Sequence, residues 1–261
     1  MTHAGPLLSV RSLSQSFSGL KALQDISFDI PEGAIVGLIG PNGAGKTTLL
    51  NCLTRIYTPD RGSIHFGVTD LLRQPLHRIV ELGIARTFQN LELFSAESAL
   101  ENVMIGAFAA LKTGVVSDLL GLRSSRRLVD EARRTAEAEL RRQGLDGFEE
   151  RTVATLPYGV QKRIELARAL ATKPRLLLLD EPAAGLNPDE TEALARFIRE
   201  LKTAGITVVL VEHDMRLVMG ICDTLIVLDH GELIASGTPA EVRTNDQVIK
   251  AYLGEDTADA A

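Results

Sequence analysis

The stretch Gly40-Pro41-Asn42-Gly43-Ala44-Gly45-Lys46-Thr47 decides the fold class of this 261-residue chain. It fits the pattern G-x-x-x-x-G-K-[ST] of a phosphate-binding loop. The apolar run 34–39 before the loop is typical of a short buried strand. The positions after the loop have helical spacing and predict the buried face of a helix: Thr48, Leu49, Leu50, Leu53 and Ile56. A strand, a glycine-rich loop and a helix in this order predict an α/β nucleotide-binding domain, whereas a glycine-rich turn before an unrelated helix is the simpler alternative.

The loop has the chemistry that an anionic phosphate group requires. Its glycines lack a Cβ, so we expect the backbone to curl and to aim its N–H groups inward. The helix behind the loop adds its positive N-terminal end. We expect Lys46 to reach the β- and γ-phosphates of ATP and the Thr47 hydroxyl to hold Mg²⁺. Nucleotide-binding residues are therefore expected at Gly40, Pro41, Asn42, Gly43, Ala44, Gly45, Lys46, Thr47 and Thr48.

Composition limits the function classes that the chain can serve. A formal net charge of -6 argues against nucleic-acid binding through a broad basic face. Cys52 and Cys222 are far apart in apolar stretches, fit no metal spacing and are expected to be buried thiols in a reducing compartment. The N-terminus has no signal-peptide pattern, and the apolar run 104–111 is too short to span a bilayer. We therefore expect a cytoplasmic chain, with any membrane span supplied by another protein.

The hydrophobic pattern predicts one domain over residues 1–254 with a helical insertion. Strand signals precede the loop and return after about residue 172, whereas residues 90–172 are dominated by helical patterns. Within that region the charge-rich stretch 124–143 is typical of a solvated helix. A hairpin turn at 229–231 closes the last strands, and the acidic tail 255–261 is expected to be disordered.

A second apolar strand, 176–179, ends in the carboxylates Asp180 and Glu181. A parallel strand beside the strand of the phosphate loop would bring Asp180 to the Mg²⁺ ion. Glu181 would then face the γ-phosphate, where it could polarise the attacking water. The alternative is a strand end with two solvated acids.

With these motifs in order, the chain resembles the ATP-binding-cassette (ABC) family over almost its whole length. Four further residues match positions of that family: Phe17 for stacking on adenine, Gln89 for sensing Mg²⁺ and water, Asn187 in the loop after the acidic pair, and His213 as the switch histidine. The resemblance implies a P-loop NTPase fold: a RecA-like core with a mixed sheet, an N-terminal antiparallel β subdomain and an inserted helical subdomain. It also implies that Gln89, Glu181 and His213 are catalytic and that Thr47, Gln89 and Asp180 hold the metal.

The signature motif of that family is altered here. The usual Leu-Ser-Gly-Gly-Gln is replaced by Leu156-Pro157-Tyr158-Gly159-Val160, followed by Gln161. The serine hydroxyl is lost, but a helix predicted over 161–171 still offers backbone N–H groups and its dipole. We expect backbone donors to contact the γ-phosphate bound to a second cassette.

One branch of the family matches best, the ATPase subunits of bacterial branched-chain amino acid importers. The similarity lies in the run 83–90, the altered signature, the loop 184–188 and the ending 237–254. It implies a cassette bound at the inner face of the cell membrane, paired head to tail with a second ABC ATPase subunit. Membrane permease subunits and, indirectly, a periplasmic solute-binding protein would be its partners. A groove for a permease helix is expected at Leu91, Leu93 and Phe94.

Two other functions remain open from the sequence. A soluble cassette ATPase without a membrane partner would share every motif of the core. A nucleotide-sensing module that does not hydrolyse ATP would explain the altered signature, but Glu181 and His213 argue against it.

Overall fold

The computed structural model describes residues 5–88, 91–111 and 123–258, except for the side chains of 123–125 and 253–258. The chain forms two compact units, one from residues 1–79 with 178–261 and one from residues 80–177. Among the described residues, no helix combines the length and the apolar character that a bilayer crossing needs.

The first unit contains two sheets. Their strands are β1 (Leu8–Phe17), β2 (Leu20–Ile30), β3 (Ile35–Ile39), β4 (Arg61–Phe66), β5 (Thr69–Asp70), β7 (Leu176–Asp180), β8 (Thr207–Val211), β9 (Thr224–Asp229) and β10 (Glu232–Gly237). The antiparallel sheet has the order β2-β1-β4-β5. The second sheet has the order β10-β9-β3-β8-β7, in which β3 runs parallel to β8 and to β9 while β10 runs antiparallel to β9. The mixed sheet and the antiparallel β sheet that the resemblance implies are both confirmed.

The helices of the first unit follow its strands. Every residue of β3 and β8 is buried, which is the continuous apolar pattern of strands covered on both faces. The helices are α1 (Lys46–Leu53), α6 (Pro188–Thr203), α7 (Met215–Ile221), α8 (Pro239–Arg243) and α9 (Asp246–Ala258). Helix α9 thus extends through residues 255–258, which the sequence led us to expect as a disordered tail. Acidic residues and alanine are compatible with a helix, so a polar composition alone does not end one.

Helix α1 confirms part of the expected buried face. Leu49, Leu50 and Leu53 are buried, but Ile56 is 44% exposed, so its assignment to that face was wrong. The helix ends at Leu53, and Arg55 adopts a left-handed conformation with φ of 63°. A residue of this kind after a helix ends its hydrogen-bonding pattern, and the sequence carries no glycine there to reveal it.

The two cysteines are buried free thiols, as predicted. Burial raises the pKa of Cys52 and of Cys222 to about 12, because the thiolate would lose its hydration. Both side chains therefore behave as small apolar groups.

The second unit contains β6 (Ile84–Arg86), α3 (Ala99–Ala110), α4 (Arg123–Arg142) and α5 (Tyr158–Ala171). Helix α2 (Arg78–Glu81) leads into this unit, and the unit's last residues, Leu176 and Leu177, begin β7, the strand beside β6. The charge-rich helix α4 is exposed along much of its length, yet it buries Ala132, Ala136 and Leu140 in the core of the unit.

Helices α3 and α5 cross closely at Gly106. A Cβ at this position would lie 2.0 Å from the carbonyl oxygen of Arg168, which belongs to the backbone and has little freedom to move. Only glycine permits this approach of the two helices.

Replacing Gly106 with alanine should therefore destabilise the protein, although alanine is the better helix former. We expect the free energy of unfolding to fall by about 1–3 kcal/mol, because the added methyl group forces the helices apart. Urea unfolding followed by circular dichroism measures the change.

Gly220→Ala is the matched control, because Gly220 lies in α7 and a Cβ there would meet nothing within 4 Å. We expect this variant to gain about 0.5–1 kcal/mol. Equal effects of the two substitutions would contradict the steric explanation.

Candidate nucleotide-binding site

The phosphate loop is bent by two close backbone approaches. Gly40 follows β3 with φ of 149°, and a Cβ there would lie 2.0 Å from the carbonyl oxygen of Leu228. Gly45 precedes α1 with φ of 102°, and a Cβ there would lie 2.6 Å from the carbonyl oxygen of Ala22. Any side chain at these two positions would force the loop open.

Lys46 lies inside this loop. It is only 7% exposed, and its ammonium group donates to the carbonyl oxygens of Gly40 at 2.6 Å and Pro41 at 2.8 Å. The side chain thus folds back along the loop, where a phosphate group would lie next to it. Thr47 follows with an exposed side chain, and Thr48 is half-buried.

The turn between β9 and β10 supports the loop from behind. The N–H of Gly231 donates to the carbonyl oxygen of Ala44 at 3.1 Å, and the N–H of Gln24 donates to the carbonyl oxygen of Gly231 at 2.7 Å. His230 and Gly231 both have positive φ, 44° and 78°, as expected for a tight hairpin turn. The hairpin was predicted from the sequence, but its contact with the phosphate loop was not.

Asp180 and Glu181 lie at the end of β7, as predicted, but not on the strand beside the phosphate loop. Strand β8 lies between β3 and β7, so that part of the expectation was wrong. The sequence shows strands but not their order, because order depends on contacts between distant segments. Asp180 is 3% exposed, and Glu181 turns sharply out of the strand with φ of 49°. Such a φ is uncommon for a residue with a side chain and is frequent at functional sites.

Glu181 and His213 meet across the ends of β7 and β8. The Oε1 atom of Glu181 lies 3.0 Å from the Nε2 atom of His213. The Glu181 side chain is 19% exposed and the His213 side chain 47%, so the pair is open to solvent on the histidine side. The structure thus brings together an acid and a histidine that are 32 positions apart in the sequence.

Glu212 is a buried acid next to His213 that the sequence did not single out. It is 5% exposed and accepts the N–H of Ala183 at 2.6 Å and the N–H of His213 at 3.2 Å. Burial raises the pKa of Glu212, the backbone hydrogen bonds lower it, and the charge of Glu181 adds to the rise. The carboxylate joins the loop after Glu181 to the backbone of His213. An acid after an apolar strand gives no signal that distinguishes this position from a solvated strand end.

Of three further residues predicted for the site, the structure describes Phe17 and Asn187. Phe17 is 40% exposed and packs edge-on against Tyr57 with a ring-centroid distance of 5.1 Å. The side chain of Asn187 accepts the N–H of Glu190 at 3.0 Å and so caps helix α6. Gln89 lies outside the described residues.

The altered signature begins helix α5 in the second unit. The helix starts at Tyr158 rather than at Gln161, because Pro157 takes the N-cap position and its carbonyl oxygen accepts the N–H groups of Val160 and Gln161 at 2.9 and 3.1 Å. The Gln161 side chain donates back to the carbonyl oxygen of Leu156 at 2.8 Å. Val160 is buried in the core of this unit, so an apolar residue suits its place. Gly159 is half-buried, and its N–H lies in the first turn of α5, where helix geometry provides no acceptor.

The expected docking residues are exposed to different degrees. Phe94 is 54% exposed, whereas Leu93 packs against the core of the second unit and Leu91 is half-buried. Phe94 is thus the most exposed apolar side chain of the three.

Two protein-family models match the chain. The model described as ABC transporter matches residues 23–184, and the model described as branched-chain amino acid ATP-binding cassette transporter matches residues 232–258. The first match alone covers more than half of the chain.

Similar proteins cover nearly the whole chain. The high-affinity branched-chain amino acid transport ATP-binding protein LivG of Escherichia coli is 46% identical, with 96% of this chain and 98% of that protein covered. The corresponding protein BraF of Pseudomonas aeruginosa is 44% identical with the same coverage. A crystallised ATP-binding cassette of an ABC transporter in its ADP conformation is 28% identical, has a TM-score of 0.81, and is matched over 95% of this chain and 98% of its own.

The phosphate loop, the acidic strand end with its histidine, the mixed sheet and these matches agree with one another. The chain belongs to the ABC transporter family, as one of its ATP-binding cassette ATPases.

Proposed function

We propose that this protein hydrolyses ATP to energise a membrane importer of branched-chain or related hydrophobic amino acids. ATP hydrolysis is supported above all by the 3.0 Å contact between Glu181 and His213. These two residues follow β7 and β8, which lie next to the strand of the phosphate loop in the order β3-β8-β7. The names of LivG and BraF and the match of residues 232–258 support the choice of solute and transporter class. The protein would act at the inner face of the cell membrane, with permease subunits, a second cassette and a periplasmic solute-binding protein.

The described residues fit a magnesium ion. Asp180 presents a carboxylate at the end of β7, and Thr47 presents a hydroxyl in the first turn of α1. Oxygen ligands of these two kinds are those that Mg²⁺ prefers. We assign Thr47, Asp180 and Gln89 to the metal, which when bound would neutralise charge on the transferred phosphoryl group.

The remaining residues of the site orient the reaction. Lys46 and the loop N–H groups would neutralise the β- and γ-phosphates, and Phe17 would stack on the adenine. Glu181 would polarise the attacking water, while His213 would hold the Glu181 carboxylate and the γ-phosphate in register. No covalent intermediate with the protein is needed, because positioned water can attack in line.

The second cassette would supply a signature to each ATP. Backbone N–H groups at the start of α5 would approach the γ-phosphate bound to the partner and replace the missing serine hydroxyl. Asn187 would lie near the partner, but its side chain already caps α6, so we assign it a structural role first.

Glu181→Gln should separate binding from chemistry. We expect ATP affinity to stay within about twofold, because the phosphate loop is unchanged, while kcat falls by about 10²–10⁴-fold with the loss of the general base. Steady-state phosphate release and fluorescent-nucleotide titration measure the two quantities. Lys46→Ala should instead abolish binding or turnover.

Glu192→Gln is a suitable control, because Glu192 is an exposed partner of Arg196 on α6. It should leave both quantities unchanged. Unimpaired turnover in Glu181→Gln would remove Glu181 from its role, and an inactive wild-type chain would favour the nucleotide-sensing alternative.

Pro157→Ser should change ATP turnover by no more than a few-fold, because backbone donors already serve the site. The same turnover assay on the complete transporter checks this. A gain of about 100-fold, the effect of adding one oxyanion-type donor, would show that the native signature is impaired.

A further inference from the structure

Phe17, the residue expected to stack on adenine, lies at the end of a tight hairpin. It ends β1, Leu20 begins β2, and the two residues pair across the strands. Ser18 and Gly19 between them have φ of 48° and 90°, and positive φ at both central residues is typical of the type I′ turn, which fits the twist of paired strands. The backbone of Phe17 is therefore fixed, whereas its side chain is 40% exposed.

The loop between α1 and β4 holds the end of β1 at its other edge. Asp60 donates its N–H to the carbonyl oxygen of Ser14 at 2.9 Å, and its carboxylate accepts the N–H of Ser16 at 2.7 Å. Tyr57, in the same loop, donates its N–H to the carbonyl oxygen of Asn51 in α1 at 3.0 Å. The loop thus joins the helix that begins at the phosphate loop to the strand that carries the expected adenine contact.

One side chain of this loop contacts the Phe17 ring. The ring of Tyr57 lies 5.1 Å from that of Phe17, centroid to centroid, with an interplanar angle of 66°. In an edge-to-face contact, the edge of one ring meets the face of the other. Whichever ring presents its edge, at least one face of Phe17 stays clear of Tyr57. The contact therefore leaves a surface of Phe17 on which a planar base can stack.

The contact with Tyr57 also limits how the Phe17 side chain can turn. An exposed phenylalanine has several staggered rotamers open to it, and fixing one of them on binding reduces affinity. The Tyr57 ring occupies one side of Phe17 and forms a favourable aromatic pair with it, so it restricts those rotamers before a nucleotide arrives. Loss of this contact corresponds to a loss of about threefold to tenfold in affinity.

We propose that Tyr57 is a positioning residue of the nucleobase site, which holds the Phe17 ring in the orientation in which adenine stacks on it. Tyr57 acts through Phe17 and not through the phosphate groups, so its contribution depends on the base of the nucleotide. Helix α1 thus serves both ends of ATP, the phosphates through Lys46 and the base through Tyr57. This inference rests on the proposed function, because it takes Phe17 as the residue that stacks on the adenine of ATP.

The first test compares ATP affinities by titration calorimetry in the full chain with Glu181→Gln, where slow hydrolysis leaves the nucleotide intact. Tyr57→Leu should weaken ATP binding about threefold to tenfold. Tyr57→Phe, which keeps the ring, should stay within about twofold of the parent chain. Unchanged affinity in Tyr57→Leu would overturn the proposal.

A double variant asks whether the effect passes through Phe17. Phe17→Ala should weaken ATP binding at least about fivefold, because a base loses its stacking partner. Tyr57→Leu added to Phe17→Ala should weaken it no further, because both substitutions remove one function. Losses that multiply in the double variant would overturn the proposal.

The second test uses a ligand that has phosphates but no base. Inorganic tripolyphosphate with Mg²⁺ should inhibit the ATPase of the chain that retains Glu181, and Tyr57→Leu should change its inhibition constant by less than about twofold. A merely structural role of Tyr57 would disturb the phosphate loop too and would raise this constant together with the KM for ATP. An equal rise in both constants would overturn the proposal.

The third measurement is made on the unsubstituted chain and so does not depend on the folding of a variant. The chain has three tyrosines, so labelling of tyrosine rings gives few NMR signals, and the spectrum of Tyr57→Phe identifies the signal of Tyr57. ATP should shift this signal, because a base stacked on Phe17 changes the surroundings of the ring that contacts it, whereas tripolyphosphate should not. The same shift with both ligands, or with neither, would overturn the proposal.

Ile249→Ala is the matched control, because Ile249 lies in α9 and is 42% exposed, about as exposed as Phe17. It should leave the ATP affinity and the inhibition constant of tripolyphosphate unchanged. A wild-type chain that binds no ATP would overturn the proposed function. A wild-type chain that binds ATP no more tightly than Tyr57→Leu would overturn this inference alone.

Discussion

The closest backbone approach in the phosphate loop lies between Gly40 and the carbonyl oxygen of Leu228. Because Ile39 pairs with Val227, β9 runs alongside β3 and delivers that carbonyl directly against the start of the loop. The position that a Cβ would occupy is 2.0 Å away, so the chain can leave β3 only through a glycine. After this bend, the carbonyl oxygen of Ala44 accepts the N–H of Gly231 in the turn of the last hairpin. Helix α1 begins two residues later, at Lys46.

The acidic residues and the histidine gain their arrangement from the same sheet. Strand β8 lies between β3 and β7, and His213 follows its end, so the histidine lies next to the strand that delivers Asp180 and Glu181. The left-handed turn at Glu181 points its carboxylate to the histidine instead of continuing the strand. Glu212 fixes the backbone around this pair, because its carboxylate accepts the N–H of Ala183 and the N–H of His213.

Local patterns in the sequence predicted what depends on local chemistry. The phosphate loop, the apolar strand before Asp180 and the last hairpin are each specified by a few consecutive residues, and the structure has all three. The position of β8 was not predictable, because strand order depends on contacts between segments far apart in the chain. Glu212 was missed for a related reason: an acid at a strand end is usually solvated, and only the folded backbone shows that this one is buried with partners. Ile56 was predicted to be buried but is exposed, because the helix ends before it and Arg55 adopts a left-handed conformation.

We propose that this cassette energises a membrane importer, and the proteins that bind to the cassette test this proposal most directly. Glu181→Gln chain, trapped with ATP and Mg²⁺, can be recovered from gently solubilised native membranes and its bound proteins identified by mass spectrometry. Recovery of two polytopic membrane proteins, a second cassette and a periplasmic solute-binding protein is the predicted result. Recovery of soluble proteins alone, or of this chain paired only with itself, would contradict the importer and favour a soluble ATPase.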